Sequence, residues 1–375
     1  MGIRFEILFE ENANGTYFTG QVVKGRAIIH VDQEIPIKGV QLRVRGNARV
    51  RWEEDDADGK SSDTHFDEEK YFDTVTECID TKGHEQILNS GTHVFNFECA
   101  LPSECPSSFE GRYGRIRYDT KIIIIRPLAF NKSYSMGFSV LKVFDLNQYP
   151  ELRIPAKMEE FKNFCCGPCK SRPLVLSLEI QKTSYVPGEF IEFKTKFVNN
   201  SSTKVEQLYV TLNLVALYSV RHRINTKTEK IHIAKKKYGA FDKDIFEVKE
   251  NFQVPPTPPT CIGLCPIIKI SYEVAVTAKV KGAHLNPIVV IPVIIGNIPY
   301  VEQSANLSEK NLIANLTKGV APVPCIDAEI SPPSYEEATY VQNIPTAPPN
   351  LENTTQTDKT KEKFTPRYAF YSIDS

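Results

Sequence analysis

Along most of the chain, apolar and polar residues alternate with period two. Val40-Gln-Leu-Arg-Val-Arg45 and Leu208-Tyr-Val-Thr-Leu-Asn213 each put three aliphatic side chains on one side and polar ones on the other. Successive side chains of an extended chain point to opposite faces, so this pattern predicts strands with one buried face. Lys121-Ile-Ile-Ile-Ile125, Val274-Ala-Val-Thr-Ala278 and Leu174-Val-Leu-Ser-Leu-Glu-Ile180 read the same way, with Pro, Gly and Asn punctuating the runs. One short helix is expected, at Ala156-Lys-Met-Glu-Glu-Phe-Lys-Asn163. The periodicity stops after Ile298-Pro-Tyr300. Beyond it Asn, Thr, Ser, Pro, Lys and Glu leave too few contiguous apolar residues for a core, which predicts a disordered tail over 301–375.

The strand pattern occurs twice. Tyr17-Phe-Thr-Gly20 recurs as Tyr185-Val-Pro-Gly188, and at the same spacing Val40, Leu42 and Val44 align with Leu208, Val210 and Leu212. Ile116-Arg-Tyr118-Asp recurs as Ile270-Ser-Tyr272-Glu at a shorter spacing, preceded by Leu101-Pro102 and Val254-Pro255. The first copy therefore holds about one loop more than the second. Its expected place is residues 53–69, an acid-rich segment with Asp55, Asp56, Asp58, Asp63, Asp67 and Glu68. Such a run reads as a solvated loop or hairpin tip, because calcium-loop spacing and its sharp-turn glycine are missing. Two copies of short alternating strands predict two β-sandwiches in tandem.

Composition narrows the function classes. Hydrophobic residues are 41% and charged residues 24% of the 375, an ordinary globular balance. With 45 Lys+Arg against 46 Asp+Glu the net charge is −1, so no global field favours nucleic acid, and charge-driven binding must come from local patches. The N-terminus carries charges inside its apolar run and predicts no secretory signal. Gly2 is followed by Glu6 where myristoylation wants Ser or Thr. No apolar run approaches the ~18 residues of a membrane span. A cytoplasmic location is expected, and nine cysteines, an odd number, agree with a reducing compartment.

Candidate chemistry is sparse. Cys166-Gly-Pro-Cys169 has the spacing of a thioredoxin-type site, but a strand pattern follows where a helix N-terminus is needed to activate the thiolate. Cys166 and Cys169 with Cys261 and Cys265 form a weak zinc candidate; acylation of the cysteine-rich joint is an alternative. Cys78, Cys99 and Cys105 read as inert thiols. Arg112, Arg115, Arg117, Lys121 and Arg126 crowd around one strand, either as a patch for acidic or phosphorylated partners or as that strand's wet face. Lys235-Lys-Lys237 has the same two readings, and His30, His93 and His232 read as ordinary strand residues. No Ser/His/Asp or paired-carboxylate arrangement falls at one place, so no enzyme and no cofactor are expected.

The sharpest motif lies in the tail. In Pro332-Pro333-Ser-Tyr335 the prolines hold polyproline II, which loses little entropy on docking in an aromatic groove, and Tyr335 offers a ring for the adjacent pocket. This is a Pro-Pro-x-Tyr ligand for WW domains. Phe364-Thr-Pro366-Arg-Tyr368-Ala-Phe-Tyr371 is either a weaker ligand or an edge strand that docks back.

The duplication, the Gly20 to Gly25 opening, Pro187-Gly188-Glu189 and the tail motif together resemble the alpha-arrestins, the arrestin domain-containing proteins. The resemblance implies an all-β fold of two arrestin-like, immunoglobulin-like sandwiches. The N domain is expected over 1–150, a Cys-rich linker over 151–172, the C domain over 173–300 and the tail over 301–375. It further implies a non-catalytic adaptor that binds membrane receptor or transporter cargo and recruits WW-domain HECT-type ubiquitin ligases through Pro332, Pro333 and Tyr335. Ubiquitination, endocytosis and endosomal transport follow, with the protein drawn peripherally to plasma membrane and endosomes. Two alternatives share the sequence: a retromer-like arrestin-fold sorting scaffold, and a thiol-based redox regulator built on Cys166 and Cys169.

Overall fold

The alternating segments pair into sheets, each with its apolar face turned inward. The structure, a computed structural model, describes residues 2–10, 12, 15–55, 62–164, 172–221, 225–239, 241, 244–301 and 364–371. The first domain runs β1 (Ile3–Phe9), β2 (Thr16–Phe18), β3 (Val22–Val31), β4 (Ile35–Ile37), β5 (Gly39–Asp55) and β6 (Ser62–Asp80). It continues with β7 (Gln86–Leu88), β8 (Gly91–Ala100), β9 (Phe109–Glu110), β10 (Gly114–Ile125) and β11 (Lys132–Leu141). Two 3-10 turns, Leu146–Gln148 and Pro150–Arg153, lead to the second domain. That domain holds β12 (Ala156–Lys162), β13 (Leu174–Ile180), β14 (Ser184–Tyr185), β15 (Phe190–Asn199) and β16 (Val205–Val220). It ends with β17 (Asn225–Gly239), β18 (Ile245–Gln253), β19 (Ile268–Val280) and β20 (Ile288–Ile295).

The two domains repeat one topology. In the first, the sheet β2-β11-β10-β5-β6 packs on β1-β3-β8; in the second, β14-β20-β19-β16-β17 packs on β12-β13-β15-β18. In both, a short strand, β2 or β14, runs parallel to the last long one, β11 or β20. Val40, Leu42 and Val44 on β5 and Leu208, Val210 and Leu212 on β16 are buried, as their matched alternation predicts. The matched tyrosines also do the same work. Tyr118 donates its hydroxyl to the Pro106 carbonyl at 2.6 Å, and Tyr272 donates to that of Pro258 at 2.6 Å. Each pins the chain entering its central strand, and a buried hydroxyl needs such a partner. Tyr272→Phe is expected to keep the fold and to lower stability by about 1–2 kcal/mol, because the Pro258 carbonyl and the Thr257 hydroxyl lose a buried partner. The check is a shifted denaturant midpoint at unchanged slope.

Four expectations change. Residues 156–163 form no helix: Ala156–Lys162 is β12, paired along its length with β13. It is an edge strand with Met158 and Phe161 exposed, so burial imposes no alternation, and the open ladder of β13 outweighs its helix-forming residues. The second domain's sheet thus starts inside the expected 151–172 linker. The acid-rich run is also no plain loop, since its described part is the ends of the β5–β6 hairpin arms; Asp56 and Asp58 lie outside the described residues. The acidic residues of β6 and the lysines of β17 occupy outer sheet edges, where charge opposes pairing with another chain. Finally, the first copy's surplus is shared between this hairpin, a longer β6 and the connection that carries β7.

Candidate functional site

Strand alternation gives β10 an outward row of Arg115, Arg117, Asp119 and Lys121. Pairing with β5 sets Arg43, Arg45 and Arg49 beside it, three cations that the sequence reading missed. Most of this face is neutralised internally. Arg43 pairs with Asp73, Arg117 with Glu110, Arg45 with Asp119 at 2.8 Å and Arg49 with Glu68 at 3.2 Å. Arg115 and Lys121 have no ion pair among the described residues. Arg115 stands opposite Arg49, and its pKa is lowered by burial and by the neighbouring Arg117. The other two expected members lie elsewhere. The backbone N–H of Arg112 donates to Glu229 of the second domain at 3.0 Å, and Arg126 sits beyond the end of β10.

A second feature joins the domains at their seam. Arg221, just past β16, donates from Nη2 to Asp67 Oδ1 at 2.9 Å, from Nε to Asp67 Oδ2 at 3.1 Å and from Nη1 to Glu69 at 2.6 Å. Its backbone N–H also reaches Asp67 Oδ2 at 2.9 Å. These bonds hold the buried Asp67 carboxyl at a pKa of about 2, and push Arg221 upward in turn. Around them, Lys227 meets Glu54 at 3.0 Å, and Tyr218 stacks edge-on against Tyr113 while its hydroxyl donates to Glu229. Asp67, expected in a solvated loop, is therefore half of an interdomain lock, with Glu54 and Glu69 of the same segment beside it.

The third feature is the aromatic segment 364–371, which docks back without joining a sheet. The Arg367 N–H donates to Ser139 Oγ at 3.0 Å and the Tyr368 hydroxyl to the Ser108 carbonyl at 3.2 Å, both in the first domain. The Tyr371 N–H donates to the Pro187 carbonyl at 3.0 Å and its hydroxyl to the Asn297 carbonyl at 2.6 Å, both on the second-domain side. Ala369 is buried beside Phe18 and Leu141, and the Phe364 ring lies 6.0 Å from the Arg117 guanidinium. One segment thus straps both domains together. Burial pushes the Tyr368 and Tyr371 phenols up, so both stay neutral in their sites. Pro332, Pro333 and Tyr335 lie outside the described residues.

The thiols offer no activated nucleophile among the described residues. Cys261 and Cys265 are buried and free, and burial pushes Cys261, Cys105 and Cys78 up to about 11. Cys166 and Cys169 lie outside the described residues, so the zinc candidate and the Cys-x-x-Cys reading stay as sequence expectations. Among the described residues no His, Cys, Asp and Glu cluster is arranged for a metal, and no helix is long and apolar enough to cross a membrane. Of the Lys235-Lys-Lys237 cluster, Lys235 lies 4.2 Å from the Tyr209 ring centre and Lys236 pairs with Glu250 at 2.6 Å. His30, His93 and His232 bond to Thr92, Asn89 and Asn213, as ordinary strand residues do.

Comparison with known proteins agrees with this architecture. The family "Arrestin (or S-antigen), N-terminal domain" matches residues 5–147, and "Arrestin (or S-antigen), C-terminal domain" matches 170–300. The chain is 30% identical over 358 residues to Arrestin domain-containing protein 17 of Caenorhabditis elegans, covering 90% of this chain and 80% of that protein. It is 28% identical to Arrestin domain-containing protein 4 of Mus musculus, over 78% and 72% of the two chains. To Arrestin domain-containing protein 1 of Homo sapiens it is 26% identical, over 75% and 62%. Proteins of this family are generally non-enzymatic adaptors. With both arrestin domains in tandem and relatives across most of its length, the chain belongs to the alpha-arrestin family of arrestin domain-containing proteins.

Proposed function

We propose that the chain is a non-catalytic trafficking adaptor that couples membrane-protein cargo to WW-domain HECT-type ubiquitin ligases. The cargo is then ubiquitinated, endocytosed and moved through endosomes, and the adaptor works from the cytoplasm at plasma membrane and endosomes. The observation that carries this reading is Pro332-Pro333-Ser-Tyr335 in a chain that holds both arrestin domains. In sequence the motif falls between Val301, whose N–H donates to Asn147 at 2.9 Å, and the strap at 364–371, so a ligase bound to it is tethered to the folded body from both sides. Arg115 and Lys121, which have no ion pair among the described residues, are the contacts for an acidic or phosphorylated cargo tail.

The test is capture of the purified chain on immobilised WW domains. Tyr335→Ala is expected to reduce capture at least about tenfold, because the ring fills the aromatic pocket as a hot-spot residue. Undiminished capture would place the ligand elsewhere. Arg115→Glu with Lys121→Glu is expected to leave WW capture unchanged while weakening binding of acidic cargo peptides.

A further inference from the structure

The hairpin tip between β10 and β11 has two apolar side chains almost wholly in water. Leu128 is 105% and Phe130 94% exposed, the two highest values among the large hydrophobic residues described. The turn that presents them is built. Pro127 fixes its own backbone angle, Leu128 takes the left-handed conformation at φ +50°, and Asn131 Oδ1 accepts the Arg126 N–H at 3.2 Å across the base. A leucine in that conformation is uncommon and is held by its surroundings.

Around the tip stands a collar of cations. Arg126 and Lys132 flank it in sequence. Lys38 is brought alongside by its N–H, which donates to the Ile125 carbonyl at 2.7 Å, and Thr81, next to Lys82, donates its hydroxyl to the Lys38 carbonyl at 2.7 Å. None of the four cations has an ion pair among the described residues, and Arg126 Nε is shielded without an acceptor. Asp80 stands beside Lys82 and accepts its backbone N–H at 2.8 Å. This contrasts with the joint face of β5 and β10, where Arg43, Arg45, Arg49 and Arg117 are all paired.

We propose that this tip is a bilayer contact: Leu128 and Phe130 enter the interface of an anionic membrane while Arg126, Lys132, Lys38 and Lys82 meet its headgroups. The shape selects the occupant. A projecting tip whose two apolar side chains stand almost wholly clear of the protein offers a peptide no groove, whereas a fluid interface closes around it and buries both the Leu128 chain and the Phe130 ring. The unpaired cations select an anionic leaflet, toward which each basic residue adds attraction that salt weakens. Such a contact would set the first domain on the same surface as a membrane-protein cargo, yet it depends on neither the ligase nor the cargo.

The experiment is sedimentation of the full chain with phosphatidylcholine vesicles with and without phosphatidylserine. Binding is expected to require phosphatidylserine, to fall with added salt, and to drop at least about tenfold in Leu128→Ser/Phe130→Ser, since two exposed side chains lose their burial. Lys38→Glu/Lys132→Glu is expected to lower it similarly while leaving neutral vesicles unbound. Because these positions are exposed, WW capture by the same preparations reports that the variants are intact and tests the ligase reading separately. In a Phe130→Trp variant, emission should shift to the blue on vesicles; the native Trp52 is buried and serves as an internal constant. No binding to anionic vesicles, equal binding by the double serine variant, or capture of a protein at the tip without vesicle binding would overturn the proposal.

Discussion

Replacing Gly188 by alanine is expected to strip residues 364–371 from the domains while both sandwiches stay folded. Gly188 has φ +101°, and a Cβ built there would overlap the backbone carbonyl of Tyr371, which cannot swing aside as a flexible side chain could. The Tyr371 N–H bond to the Pro187 carbonyl, one residue away, must then break. The duplication supplies an internal control. Gly20 is the matched position of the first copy, with φ +86°, but nothing lies within 4 Å of its Cβ site. Alanine in a left-handed conformation costs about 1–2 kcal/mol at either glycine, so both variants should lose similar stability. Only Gly188→Ala should also raise tryptic cleavage after Arg367 and hydrogen exchange at Tyr371, by about tenfold or more, as the strap moves to an open population. Equal protection of the strap in the two variants would mean that Gly188 is not its seat.

What the sequence revealed follows from how locally each feature is written. The matched aliphatic triplets at Val40 and Leu208 and the paired Tyr118 and Tyr272 were legible because burial of one strand face leaves a period-two trace within a few residues. Both domains and their order could be read from that. Residues 156–163 misled because an edge strand with exposed Met158 and Phe161 leaves no such trace, and its identity comes from the hydrogen bonds of β13. The same limit hid the seam. Asp67 stands among other acids in the sequence, and nothing near it signals that Arg221, far along the chain, will bury it. The basic face was half legible: alternation placed Arg115, Arg117 and Lys121 together, but it could not show that β5 sets Arg43, Arg45 and Arg49 beside them or that Glu110 of β9 neutralises Arg117. The aromatic spacing at 364–371 marked a binding segment without naming its partner, which proved to be the body of its own chain.

Removing Arg221 is expected to be the costliest change at the seam. Asp67 is only 6% exposed, so Arg221→Ala leaves a carboxylate shielded from water with its backbone donors alone. Breaking a buried ion pair from one side costs several kcal/mol; here the Arg221 side chain is 43% exposed, so solvent screens part of it and about 2–3 kcal/mol is expected. Because the pair spans the two domains, the loss should appear as separated thermal transitions of the sandwiches where the parent melts together. The pH dependence has a definite sign. Asp67 titrates near 3.8 when free and near 2 in the fold, so the unfolded chain takes up its proton first. The pair's contribution is fully present above about pH 4 and is lost as pH falls toward about 2. In Asp67→Asn this step should vanish from the acid melting curve while the steps of other carboxylates remain. Asp67→Asn combined with Arg221→Ala should cost less than the two changes summed, since no carboxylate is then left buried without its guanidinium. Strict additivity would instead assign the depressed Asp67 pKa to the backbone donors of Glu68 and residue 221, and the lock to the surrounding contacts of Lys227 and Tyr218.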